Sequence, residues 1–218
     1  TNYTHHLDRF VKRVHDYVTA KSAERGHKIL LGVRVPTTPR AALSRGEDVG
    51  LWARSGWVDW VCASSPWRTP DYNLPVAAWR QAFGAAAGRI TFLMGTDHGV
   101  TAFKWERTDM TPGFYAGFAD VAWGSGADGV YLFNLEYSPK AAQRDIYAGG
   151  LRPEKIGNLY RRYFVTIDDV REKMLRHCRS LLPVPLNAPG EIPVVCGSTR
   201  PTKSVEVVLG FNKAETQA

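Results

Sequence analysis

The hydrophobic positions of this chain fall into two kinds of run. Near the start, Leu7, Phe10, Val11, Val14, Tyr17 and Val18 recur at helical spacing, with Asp8, Arg9, Lys12, Arg13 and Asp16 between them. That spacing predicts an amphipathic helix, closed near Arg25 by Gly26. Four runs of the other kind follow: Lys28 to Val35 (KILLGVRV), Val58 to Ala63 (VDWVCA), Arg89 to Met94 (RITFLM) and Val130 to Phe133 (VYLF). Each is short and nearly continuously apolar, the pattern of a strand covered on both faces of a parallel sheet. Helical stretches separate them: Arg40 to Ser44, Val49 to Ser55, Leu74 to Phe83, and Gly113 to Trp123 behind a Thr111–Pro112 start. Strand and helix in alternation predict an α/β fold, a (β/α) barrel with four βα units in this chain.

After Tyr137 the pattern changes. Glu154 to Tyr163 and Asp168 to Leu182 read as helices rich in Arg and Lys. Pro183, Pro185, Pro189 and Gly190 mark a linker, and Ile192 to Val195 and Ser204 to Phe211 read as two strands. The expected division is therefore a barrel portion with trailing helices over 1–182, then a linker and the start of a small β-domain over 183–218. Two strands cannot bury a core alone, so they must pair with the barrel, another chain or further sequence.

In a parallel barrel the chemistry gathers at the carboxyl ends of the strands. In order, those ends offer Arg34; Ser64, Ser65 and Trp67; Asp97 and His98; and Asn134, Glu136 and Tyr137. Glycoside hydrolysis needs two carboxyl groups, about 5 Å apart for retention and about 6.5–9.5 Å for inversion. Asp97 and Glu136 end neighbouring predicted strands, which lie about 4.8 Å apart, so they form the candidate catalytic pair. The plainer alternative stays open: Asp97 is a turn residue in GTDHG, and Glu136 the partner of a loop arginine. His98 is either a donor to a sugar hydroxyl or a rim histidine without a role.

Seven tryptophans in one chain are a second signal, because sugars present flat C–H faces that stack on indole. Trp67 and Trp105 fall in predicted rim loops and are expected against a sugar, with Arg34, His98, Asn134 and Tyr137 as further substrate contacts. Trp52, Trp79 and Trp123 fall on helices and Trp60 within a strand, where core packing is expected.

The segments FVKRV, GHKILLGVRVP, VDWV and GADGVYLFN, in that order, resemble a group of bacterial glycoside-hydrolase-like TIM-barrel proteins over roughly residues 1–137. The resemblance implies that these are the last four strands of the barrel, followed by a small β-sandwich. It also implies that the first half of the barrel lies outside this sequence, and that an acid/base on the fourth strand lies there too. Asp97, ending the seventh strand, then becomes the nucleophile candidate and Glu136 a positioning group. The barrel would be completed by that missing half or by a second chain.

Composition narrows the alternatives. The net charge of +7 raises nucleic-acid binding, but Lys and Arg are scattered among acids with no dense basic block, which argues against it. No apolar run is long enough for a membrane span, and secretion or a periplasmic location is expected only if a leader precedes Thr1. Cys62, Cys178 and Cys196 are far apart and form no CxxC pair; a Cys178–Cys196 disulfide stays open. His5 and His6 share no ligand spacing with His98, so neither a metal nor any other cofactor is expected. Two rivals to a hydrolase remain: a non-catalytic glycan- or partner-binding barrel, and a phosphate-binding barrel. The second is disfavoured by Glu136, a carboxylate where a phosphate-binding turn would be.

Overall fold

The computed structural model describes residues 3–65, 70–100, 108–138, 140–156, 158–166 and 205–210. The helices are α1 (Thr4–Arg25), α2 (Pro39–Ser44), α3 (Val49–Arg54), α4 (Val76–Phe83), α5 (Pro112–Gly124), α6 (Lys140–Tyr147) and α7 (Pro153–Ile156). The strands are β1 (Gly32–Val35), β2 (Trp60–Ser64), β3 (Thr91–Thr96), β4 (Gly99–Val100), β5 (Thr108–Asp109), β6 (Gly129–Leu132), β7 (Arg161–Thr166) and β8 (Val205–Gly210). Strands β1, β2, β3 and β6 form a four-stranded parallel sheet in that order, with helices in each crossover. This is a mixed α/β architecture with an open sheet.

Register divides the sheet into two unlike faces. Val35, Ala63, Met94 and Val130 lie side by side, as do Val61 and Phe92. This face packs against Trp52 of α3, Trp79 and Phe83 of α4 and Phe118 and Val121 of α5. Each large apolar side chain buried there stabilises the fold by about 1.5–3 kcal/mol. The other face carries Arg34, Cys62, Leu93 and Gly129 in one row. Here Trp60 of β2 stacks with Tyr131 of β6 at 6.4 Å between ring centroids, although β3 lies between them. Arg34 of β1 likewise reaches Phe133, just past β6, with its guanidinium carbon 4.2 Å from the ring centroid. In a flat sheet those two strands would stand about 14 Å apart, so this face is concave. Gly32 makes room on this face for the Trp60 ring, because a Cβ there would fall 1.7 Å from it.

Trp60 thus lines the half-open face instead of the helix-covered core, which corrects the expectation of a core residue. Trp52 and Trp79 do belong to that core, and their indole N–H groups donate to Asp8 Oδ1 at 2.7 Å and the Thr37 carbonyl at 2.8 Å. Helix α1 ends as expected at Gly26, whose φ of 70° is left-handed. Its apolar stripe is mostly uncovered: Val11 is buried, while Phe10 and Tyr17 are 62% and 64% exposed. Pro112 opens α5 at its first turn, but Thr111 makes no side-chain cap bond.

The segment Glu154 to Tyr163 is not one helix. Only Pro153–Ile156 is helical, and Arg161–Thr166 is β7, paired in parallel with β8. The reason is tertiary. Arg161 is 1% exposed and donates from Nη1 to Asp120 Oδ1 on α5 at 2.9 Å, while Tyr163 donates its hydroxyl to Asp120 Oδ2 at 2.6 Å. Gly117 of α5 lets β7 come this close, since a Cβ there would sit 2.1 Å from the Arg162 carbonyl oxygen. The expected helix at Asp168 to Leu182 and strand at Ile192 to Val195 lie outside the described residues.

Candidate functional site

The strands run parallel, so their carboxyl ends share one edge, and the polar side chains predicted there are found along it. Strand β3 ends at Thr96, and Asp97 and His98 follow at 8% and 4% exposure. Asp97 Oδ1 accepts three hydrogen bonds: from the His98 backbone N–H at 2.7 Å, from His98 Nδ1 at 2.5 Å and from Asn134 Nδ2 at 3.3 Å. A carboxylate only accepts, so His98 Nδ1 carries the hydrogen. That bond leaves Nε2 as the ring nitrogen not engaged by Asp97. Tyr137, 66% exposed, tilts its ring toward His98 at 5.3 Å between centroids.

Asn134 has a φ of 58°, and among the described residues it is the single non-glycine with positive φ. Asparagine tolerates this left-handed conformation better than most residues. It lets the chain leave β6 sharply, so that the amide faces Asp97 and the 3₁₀ turn Leu135–Tyr137 begins at once. Glu136 lies in that turn and is exposed. Gln143 of α6 steadies the turn by donating to the Glu136 carbonyl at 3.1 Å and the Ser138 carbonyl at 2.6 Å. Among the described residues the Glu136 carboxylate has no hydrogen bond or ion pair, so Asn134 rather than Glu136 is the residue after β6 that meets Asp97.

At the other end of the sheet Arg34 donates from Nε to Ser64 Oγ at 2.6 Å and from Nη2 to the Ser65 carbonyl at 3.2 Å. Ser64 and Ser65 are both buried. Below Arg34, Cys62 is fully buried, and burial pushes its thiol up to about 12, opposed only in part by the Arg34 charge. It stays a neutral thiol and a core residue. Trp67 and Trp105, the two tryptophans expected against a sugar, lie outside the described residues. The short antiparallel ladder of β4 and β5 begins directly after His98 and brackets the 101–107 segment that holds Trp105.

One carboxyl group on this edge escaped the sequence reading. Asp71 lies between β2 and α4, and burial raises its carboxyl above the ordinary range although the Asn73 N–H donates to it at 2.9 Å. Nothing in the turn-rich stretch PDYNLP marks it as half-buried; beside it the Tyr72 hydroxyl donates to the Phe114 carbonyl at 2.9 Å and ties the loop to α5. Among the described residues no cluster of His, Cys, Asp and Glu could hold a metal ion, and no helix is long and apolar enough to cross a membrane. Comparison with known proteins finds no family model and no curated protein that matches the chain.

Proposed function

We propose that the parallel sheet is part of a (β/α) barrel, its last four βα units, and that the carboxyl edge binds and hydrolyses a poly- or oligosaccharide. The observation that carries this reading is the Asp97–His98–Asn134 cluster: a buried carboxylate with three donors on one oxygen, at the end of a central strand. Such a network aligns a carboxylate for attack or proton transfer far better than a solvated side chain would. Asp97 takes the nucleophile or base role in this reading, and His98, with Nε2 turned away from Asp97, contacts a sugar hydroxyl. Glu136 and Tyr137, both exposed beside the cluster, position the substrate together with Asn134. Trp67 and Trp105 are the stacking residues of the same proposal.

The barrel part of the proposal rests on the concave face. Leu30 is 60% exposed at its edge, and Trp60, Leu93 and Tyr131 are only half-buried on it. An open apolar face is unstable in water, as are the outer edges of β1 and β6, unpaired among the described residues; in this proposal further strands complete the barrel on that side.

A binding-only reading is favoured by one detail. The three bonds to Asp97 Oδ1 come partly from its own neighbour, the arrangement of a turn aspartate. Reducing-sugar release over a panel of polysaccharides separates the two. Hydrolysis of at least one member supports the enzyme, whereas glycan binding without release leaves only the binding barrel.

A further inference from the structure

Arg34 is placed for more than packing, and its surroundings say what it is for. It sits on the concave face one residue before the end of β1, exposed, in a row with Cys62 and Leu93. A guanidinium on such a surface normally finds a carboxylate. Among the described residues Arg34 has none: its partners are the Ser64 hydroxyl, the Ser65 carbonyl and the Phe133 ring. These are all neutral groups, and they come from two different strand ends. Together they fix the group in place. Two bonds hold its Nε side, and the ring lies 4.2 Å from the guanidinium carbon.

Five N–H donors belong to an arginine, so these two bonds leave three, including both on Nη1. A planar fork held in place, charged and without a carboxylate partner among the described residues, matches a planar carboxylate, which it binds through two parallel hydrogen bonds. The aromatic backing also lowers the hydration of the cation and so strengthens a bond to an anion. Asp97 is not its partner: the Asp97 hydrogen bonds run to His98 and Asn134, and those of Arg34 to Ser64 and Ser65.

We infer that Arg34 is the anion-recognition residue of this edge and that the glycan it takes carries a carboxylate, a uronic acid unit. The inference rests on the glycan reading above and adds the class of sugar. The net charge of +7 acts in the same direction by drawing acidic polymers toward the protein.

The test is calorimetric titration of the full chain with a panel of oligouronates of galacturonic, glucuronic and mannuronic acid. Each is compared with its methyl ester, which keeps the sugar and removes the charge, and with a sulfated oligosaccharide. Wild type is expected to prefer at least one free acid over its ester by about 10- to 100-fold, the worth of one charge-assisted bidentate contact. Arg34→Gln should erase that preference while melting with wild type, and Arg34→Lys, which keeps the charge and loses the fork, should fall between. Ser64→Ala should lower the preference less, because it frees Nε without removing the charge. Equal binding of acid and ester by wild type would overturn the role of Arg34 and leave the glycan reading standing. Preference for the sulfated probe alone would overturn the carboxylate assignment. Binding of no glycan would remove both readings, and a large fall in the Arg34→Gln melting temperature would mark Arg34 as a fold residue instead.

Discussion

Asp59 and Asp128 do the same work at the amino ends of two strands. Each stands one residue before its strand, β2 and β6, and each accepts a backbone N–H from the neighbouring chain, just before β1 for Asp59 and within β3 for Asp128. Asp59 Oδ2 takes Leu31 at 2.8 Å, and Asp128 Oδ2 takes Phe92 at 2.7 Å. Each also pairs with a cation, Lys28 for Asp59 and Arg80 for Asp128. Register in a parallel sheet has no hairpin turn to set it, so these aspartates pin the start of each pairing. Burial alone would raise the Asp59 carboxyl, but the Lys28 and Leu31 hydrogen bonds outweigh it and hold the group below its ordinary value of 3.8. A lowered carboxyl contributes stability that is present above pH 3.8 and is lost as the pH falls below it through the folded value. Asp59→Asn keeps the shape and removes the charge. It should therefore cost about 1 kcal/mol at neutral pH, since the ion pair is solvent-exposed. Urea unfolding at pH 7 and again below pH 3.8 checks this, and a gap that widens in acid would contradict the assignment.

At the scale of elements, helix α5 is where two parts of the fold meet. One side of it packs on the parallel sheet through Phe118, Val121 and Ala122, and Asp120 holds β7 through Arg161 and Tyr163. Removing one member of a buried ion pair leaves a charge without a partner, a loss of about 3–5 kcal/mol. Asp120→Ala should therefore destabilise the chain by about that amount in urea titration. A loss under about 1 kcal/mol would mean that β7 does not depend on this contact.

The same contact explains where local pattern ceased to be informative. The four core strands and the helices between them were legible because each buries its own apolar run against neighbours of the same kind. Strand β7 was not, since Arg161 reads as a solvated arginine until Asp120, 41 residues away, is seen beside it. Trp60 was misjudged for a related reason. A continuous run such as VDWVCA shows that a strand is apolar on both faces, but not that one face is concave and half-open. For the site, the strand-end rule put Arg34, Asp97, His98, Asn134 and Glu136 on one edge. What it could not show was the left-handed turn at Asn134, which brings the amide rather than Glu136 to Asp97.

At the scale of the whole molecule the concave face decides how the chain behaves in solution. Half-buried Trp60, Leu93 and Tyr131, with exposed Leu30, Phe10 and Tyr17, form apolar surface on both the sheet and α1. If further strands complete a barrel there, the chain by itself should sediment as a dimer or larger species, and its tryptophan emission should shift to the blue on association as Trp60 leaves water. A stable, monodisperse monomer would contradict the proposed barrel.

The central claim is that Asp97 performs chemistry on a glycan, and turnover by two isosteric variants tests it most directly. On whichever polysaccharide the wild type cleaves, Asp97→Asn should lower kcat by a factor of about 100 or more while the melting temperature stays near that of wild type. Glu136→Gln should instead raise KM with a much smaller effect on kcat, as expected for an exposed positioning group. Equal and severe losses in the two variants would make them a catalytic pair. Wild-type kcat in Asp97→Asn would contradict the account and return Asp97 to the role of a turn residue.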